Sequence, residues 1–72
     1  MNRDEFLKKM QDILQTDEEL NFEMNLDDMD EWDSLAKLAT VALLDTTFGV
    51  KTTFDDFEAI KTIEDIAKKA GI

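Results

Sequence analysis

The stretch "DSLAKLATVALLDTTFG", residues 33–49, decides the fold. Apolar residues dominate it, and the glycine at its end is a natural stop for a helix. We therefore predict a helix over residues 34–48, with Asp33 or Ser34 as its N-cap, because both residue types are favoured there. The apolar stripe of this helix is so wide that we expect neighbouring elements to contact it on several sides, as the centre of a small bundle.

Helical patterns flank this stretch on both sides. Residues 3–15 place apolar side chains at offsets of three and four, which marks one face of a helix: Phe6, Leu7, Met10, Ile13 and Leu14. Residues 54–60 could hold a single helical turn. A last helix is predicted from Thr62, an N-cap whose capping-box partner is Asp65, to Gly71. The predicted fold is all-α, a small three- to four-helix bundle.

A long acidic segment, residues 16–33, separates the first two helices. It contains nine carboxylates and neither lysine nor arginine. Its apolar residues alternate with polar ones, a pattern that could indicate a strand, but no second run is present to pair with it and isolated strands are unstable. We predict a loop held to the core by five side chains: Leu20, Phe22, Leu26, Met29 and Trp32. Loops of this length are usually functional, and this one leads directly to Ser34.

Length and composition limit the function. We expect residues 1–72 to form a single domain with a small core. An enzyme pocket of roughly 300 Å³ would consume much of that core. The chain contains no histidine and no cysteine, which excludes serine–histidine and cysteine–histidine nucleophiles and removes the usual zinc and iron–sulfur ligands. We predict neither an enzyme nor a metal protein.

The charge balance indicates the kind of partner. Eighteen acidic residues against eight basic ones give a formal net charge of −10. Such a chain repels nucleic acid and anionic membranes and attracts basic protein surfaces. No signal peptide and no apolar run of membrane-spanning length is present, so no membrane insertion and a cytoplasmic location are expected.

The segment "NLDDMDEWD", residues 25–33, is rich in side-chain oxygens of the kind that bind calcium. An EF-hand loop needs oxygen ligands at alternate positions followed by glycine. With Asp28 in the first position, Trp32 occupies the third ligand position and Asp33 the glycine position. Frames that start at Asn25 or Asp27 meet Met29 at a ligand position. We therefore predict no specific metal site there.

Ser34 admits two interpretations. It could simply belong to the cap of the second helix. Alternatively, its hydroxyl could carry a covalently attached group, because a phosphate ester at a helix N-terminus lies at the positive end of the helix dipole. The second interpretation needs no local base if a separate enzyme performs the transfer. It also explains why the long acidic loop ends at this serine.

The motif Asp33-Ser34-Leu35 resembles the modification site of acyl carrier proteins and the related peptidyl and aminoacyl carriers. The resemblance spans nearly the whole chain. It includes a helix and long loop upstream, an apolar helix ending in "FGV" at residues 48–50, and the closing segment "IKTIEDIAKKAGI" at residues 60–72.

The resemblance implies a carrier rather than a catalyst. Ser34 would receive a 4′-phosphopantetheine arm, and Asp33 and Leu35 would be the flanking positions that the phosphopantetheinyl transferase reads. The arm's thiol would hold an acyl or aminoacyl group as a thioester. Acyl-loading and acyl-processing enzymes with basic docking surfaces would act on that group, and the carrier itself would be a monomer.

The chain departs from carriers of fatty acid synthesis, which usually line the second helix with acids. Here Asp45 is the only acid within that helix, and Lys37 has the wrong sign for a basic patch. Acids cluster instead in the loop and at Asp55 and Asp56. The candidate partner contacts are Lys37, Asp45, Asp55 and Asp56. The departures favour a specialised pathway for lipid, polyketide, amino-acid or surface-sugar modification over housekeeping fatty acid biosynthesis.

A second function class stays open at this stage. The chain could be an acidic helical protein-binding module that carries no prosthetic group. In that case the loop docks a basic protein and Ser34 serves only as a cap.

Overall fold

A computed structural model describes all 72 residues and contains four α-helices joined by loops. The elements, in chain order, are α1 (Arg3–Leu14), a 3₁₀ helix (Leu26–Asp28), α2 (Ser34–Phe48), α3 (Phe54–Glu58) and α4 (Ile63–Ala70). The prediction of a small all-α bundle is confirmed. No helix combines the length and hydropathy that crossing a bilayer requires.

Local capping signals define the helix ends. The α1 helix begins with a capping box between Asn2 and Glu5. The predicted capping box of α4 is present, because Thr62 accepts a hydrogen bond from the Asp65 backbone and the Asp65 carboxylate accepts from the N–H groups of Lys61 and Thr62. Those two N–H donors lower the pKa of the Asp65 carboxyl below its ordinary value. Gly71 ends α4 in the left-handed conformation, with φ of 83°.

The core forms where α1 and α4 meet the loop and one face of α2. The fully or almost fully buried apolar side chains are Phe6, Met10, Leu14, Leu20, Leu26, Ala36, Leu44, Phe57, Ile60, Ile63, Ile66 and Ala67. Phe6 is fully buried in this core. The centroid of its ring lies 6.4 Å from that of Phe22 and 6.1 Å from that of Phe48. These contacts connect α1, the acidic loop and the end of α2 in one apolar cluster.

The acidic segment contains no α-helix and no strand, only the 3₁₀ helix, and its backbone attaches to α4. The N–H of Leu26 donates to the Lys61 carbonyl at 2.7 Å, and the N–H of Ile63 donates to the Met24 carbonyl at 3.3 Å. The N–H of Glu64 donates to the Phe22 carbonyl at 3.0 Å. The loop carbonyls thereby satisfy N–H groups at the start of α4 that have no intrahelical partner. The loop and the start of α4 share one isolated antiparallel bridge, between Asn25 and Thr62, with a turn before it and the 3₁₀ helix after it, so the alternating residues do not form a strand.

Arg3 fastens the start of α1 to α4 and the loop, a contact that the sequence patterns do not indicate. Its guanidinium makes two hydrogen bonds to the Glu64 carboxylate, at 2.8 and 3.1 Å, and one to the Ile72 carbonyl at 3.0 Å. It also lies 4.5 Å from the centre of the Phe22 ring. The hydrogen bonds from Arg3 lower the pKa of the Glu64 carboxyl.

Two helices contact α2, in line with the expectation of neighbours on several sides, but they leave one apolar face of the helix uncovered. Its buried side chains are Ala36, Thr40 and Leu44, whereas Leu35 is 76% exposed and Leu38 is 51% exposed. The helix packs mainly against α1 and α3, and these two elements cover only part of its circumference. A wide apolar stripe thus reflects a buried face joined to an exposed apolar face.

The acidic loop is expected to make stability depend on salt. Of its nine carboxylates, only Asp27 is ion-paired, with Lys61 at 3.8 Å, so the others repel one another largely without compensation. Sodium chloride or magnesium chloride should raise the melting temperature by screening this repulsion, by about 4–8 °C for each kcal/mol relieved.

The matched variant Asp30→Asn/Glu31→Gln removes two of the exposed, unpaired charges. It should melt higher than the wild type at low ionic strength and respond less to salt. A melting temperature that is indifferent to both salts and to the double substitution would contradict this account.

Candidate functional site

The start of α2 is capped by Asp33 and not by Ser34. Asp33 has extended backbone angles, and its Oδ1 accepts a hydrogen bond from the Ala36 N–H at 2.9 Å. Ser34 is the first residue of the helix proper and is exposed. The sequence left the choice of cap between these two residues open. Because Asp33 supplies the cap, the helix does not need the Ser34 hydroxyl for its own stability.

The position of Ser34 has a definite electrostatic character. The first N–H groups of an α-helix have no intrahelical acceptor, and the helix dipole places partial positive charge at this end. An anion esterified to a hydroxyl in the first turn therefore lies in a favourable field. Ser34 is also the only serine of the chain, so a serine-directed modification has one possible target.

Trp32 and the turn that leads into it set the direction from which the loop enters α2. The Trp32 side chain is half-buried, and its ring packs edge-on against Phe57 with centroids 5.8 Å apart. The backbone turns tightly, with the Trp32 N–H donating to the Met29 carbonyl at 3.1 Å and the Asp33 N–H to the Glu31 carbonyl at 2.9 Å. Trp32 therefore acts as a core anchor that holds the residues just before Ser34.

An exposed apolar face follows Ser34 along α2. We call Leu35, Leu38, Ala39 and Ala42 the outer face of α2. All four are exposed, although α-helices of small proteins commonly present polar residues to solvent. The sequence showed that these residues are apolar but not that they lie outside the core, so this surface was missed.

A shallow groove of about 190 Å³ lies beside the start of α2. The end of α1, the end of the loop and the first turns of α2 form it, and its lining residues are Ile13, Leu14, Gln15, Glu31, Asp33, Leu35, Ala36 and Ala39. Two larger grooves, of about 390 and 540 Å³, lie along α1 and beside Arg3. Neither contains Ser34 or a residue adjacent to it, so the smaller groove is the one relevant to chemistry at this serine.

The four candidate partner contacts lie in different settings. Asp55 is exposed. Asp45 forms an ion pair with Lys51 at 2.9 Å, and the Asp56 carboxylate accepts the Thr53 N–H at 2.8 Å and lies 4.0 Å from the Lys69 amine. Asp45 and Asp56 thus already have partners within the chain, which reduces what their charges can offer to another protein.

The fourth candidate, Lys37, is half-buried in the first turns of α2. It takes part in none of the chain's four ion pairs. The acidic residues of the loop do not converge on a metal site either, since no three of them are grouped so that they could hold a metal ion.

Comparison with known families gives a match over most of the chain. The family model described as "Phosphopantetheine attachment site" matches residues 4–69 of the 72-residue chain. The match includes all four helices except the first residue of α1 and the last of α4. Comparison with curated proteins and with solved structures gives no significant match.

Proposed function

The chain belongs to the phosphopantetheine attachment-site family, and from that membership we propose that Ser34 is the residue that holds the 4′-phosphopantetheine arm. As a member of this family the chain is a carrier and not a catalyst. It works with a phosphopantetheinyl transferase and with enzymes that act on the carried group. The family match over residues 4–69 also favours the carrier interpretation over an acidic binding module without a prosthetic group.

The residues around Ser34 fit this prosthetic group. The serine is exposed, and the cap of α2 is made by Asp33, so esterification removes no hydrogen bond that the cap needs. When bound, the arm supplies a thiol that the chain lacks, since it contains no cysteine. The family match carries the proposal, and the exposed, uncommitted hydroxyl at the N-terminus of α2 supports Ser34 as the attachment residue.

The test is modification of the purified chain. Incubation with coenzyme A and a promiscuous phosphopantetheinyl transferase should add one phosphopantetheine, seen by intact-mass measurement, and peptide mapping should locate it on Ser34. A folded sample that gains no mass would instead favour the binding module. Addition at another hydroxyl would keep the carrier function and overturn the assignment of Ser34.

We further propose that the outer face of α2 is where partner enzymes dock, and that the chain serves a specialised pathway. Leu35 and Leu38 are exposed next to Ser34, so a partner that reaches the arm meets this surface first. Asp45 is the only acid of α2 and is paired with Lys51. An enzyme whose docking surface is a basic patch therefore finds little charge on α2 to bind.

Housekeeping fatty acid enzymes should accordingly accept the modified chain poorly, and added acids on α2 should improve acceptance. The variant Ala39→Glu/Thr46→Glu changes two exposed positions of α2. We expect it to raise the rate of malonyl loading by a fatty-acid malonyl transferase about tenfold at low salt, because charge complementarity accelerates encounter. The gain should shrink as salt is added.

The matched control for this experiment is Lys8→Gln/Lys9→Gln, which shifts the net charge by the same amount through two exposed residues of α1. It should leave the loading rate nearly unchanged. Efficient loading of the wild type that neither pair of substitutions alters would contradict the specialised role.

A further inference from the structure

The four helices differ in the charges of their first turns. The helices α1, α3 and α4 each have two carboxylates there, which complement the helix dipole: Asp4 and Glu5, Asp55 and Asp56, and Glu64 and Asp65. The first turn of α2 has none, although the loop before it is the most acidic part of the chain. The helix that begins with Ser34 is thus kept free of negative charge immediately after the serine.

The residue that follows the first turn of α2 is basic. Lys37 is three positions after Ser34, and it is the only basic residue between Lys9 and Lys51. Residues three apart on a helix are neighbours, with Cβ atoms about 5–6 Å apart. Helical side chains also lean toward the N-terminus of the helix, a direction that brings a long side chain at position 37 toward the level of position 34.

In the unmodified chain Lys37 makes no ion pair, although it lies four residues after Asp33, a spacing that brings opposite charges together on a helix. A cation near a helix N-terminus interacts unfavourably with the dipole, and Lys37 has no ion-pair partner to offset this. The attached arm changes the balance, because its phosphodiester adds a negative charge next to Asp33 and Glu31. A cation at position 37 is within reach of that phosphate and opposes its repulsion by these carboxylates.

We propose that Lys37 is a positioning residue that pairs with the phosphodiester of the arm on Ser34. This inference rests on the proposed attachment at Ser34. It gives Lys37 a role within the loaded carrier that differs from the partner contact considered above. The ion pair fixes the first bonds of the arm against α2 and directs the remainder of the arm along the helix surface.

The test compares the arm-bearing and arm-free forms of three chains: wild type, Lys37→Met and Lys37→Arg. Methionine keeps an unbranched apolar stem and removes the charge, whereas arginine keeps the charge. Arm attachment is first verified by intact mass and mapped to Ser34 in each chain. The measured quantity is the melting temperature of the arm-bearing form minus that of the arm-free form, at low and high salt.

We expect this difference to be about 1–5 °C less favourable in Lys37→Met than in the wild type, as for an exposed ion pair in a small domain. Lys37→Arg should restore it, and high salt should remove the distinction between the variants. In nuclear magnetic resonance spectra, attachment of the arm should shift the ε-methylene signal of Lys37 and leave that of Lys8 in place.

The control Lys8→Met removes an exposed charge from α1 and should leave the difference as in the wild type. Equal differences in wild type and Lys37→Met, or an equal loss in Lys8→Met, would overturn the pairing while leaving Ser34 as the attachment residue. Failure of the wild type to accept the arm at all would overturn the proposed function and the pairing together, whereas attachment at another hydroxyl would overturn the assignment of Ser34 and the pairing. If Lys37 had a purely structural role, its substitution would shift the melting temperatures of the arm-bearing and arm-free forms equally. The difference between the two melting temperatures would then stay at its wild-type value.

Discussion

Ser34→Ala is expected to abolish arm attachment completely while leaving the fold almost unchanged. The hydroxyl is the proposed acceptor of the phosphopantetheine, and no other serine is present to replace it. The helix loses nothing essential, because the cap of α2 is the Asp33 carboxylate bonded to the Ala36 N–H. We expect zero added mass after incubation with coenzyme A and the transferase, and a stability within about 0.5 kcal/mol of the wild type.

The companion variant Asp33→Ala reverses this pattern and serves as the matched control. It removes the capping hydrogen bond, so it should lower the free energy of unfolding by about 0.5–2 kcal/mol. It keeps the hydroxyl and should still accept the arm, at a rate that reports whether the transferase reads position 33. Arm attachment in Ser34→Ala would move the site to one of the threonines.

The helix ends were predictable because the signals that set them are local. Thr62 and Asp65 are three residues apart and cap α4 through contacts made within one turn. Gly49 ends α2 with φ of 69°, a conformation that glycine adopts without strain. Signals of this kind depend on the backbone of a few consecutive residues, so a single sequence contains them in full.

Features that depend on how helices are placed in space could not be predicted. Leu35 and Leu44 are both leucines of the same apolar helix, yet one is 76% exposed and the other fully buried. Periodicity cannot separate them, because nearly every position around α2 is apolar. The ion pair between Arg3 and Glu64 joins residues 61 positions apart, and nothing in the local pattern of either residue indicates the other.

The sequence predicts the attachment residue of the candidate site better than it predicts the partner contacts. Ser34 was singled out through the Asp-Ser-Leu motif and its context, and the structure adds that this residue begins α2 and that Asp33 is its cap. The partner contacts rested on charge sign alone. Charge sign does not reveal that Asp45 is paired with Lys51, which depends on where the connector after α2 returns.

Leu26→Ala is expected to be among the most damaging of the leucine truncations, and Leu35→Ala one of the least. Leu26 is completely buried in the 3₁₀ helix of the acidic loop, and its N–H holds the loop to the Lys61 carbonyl at 2.7 Å. Truncation leaves a cavity beneath the loop that leads to Ser34, and such changes lower stability by about 2–5 kcal/mol. In a domain of this size that corresponds to a fall in melting temperature of roughly 10 °C or more.

Leu35→Ala makes the same chemical change at a side chain that is 76% exposed. It should alter the free energy of unfolding by no more than about 0.5 kcal/mol. It should instead slow reactions with partner enzymes, because Leu35 belongs to the proposed docking surface. The free energies of unfolding of both variants are measured by urea unfolding at two protein concentrations. Leu35→Ala could prove as destabilising as Leu26→Ala, with a loss of stability that grows at the higher protein concentration. That result would mean that a second copy of the chain covers the outer face of α2 in solution. Docking of partner enzymes would then first require that the copies separate.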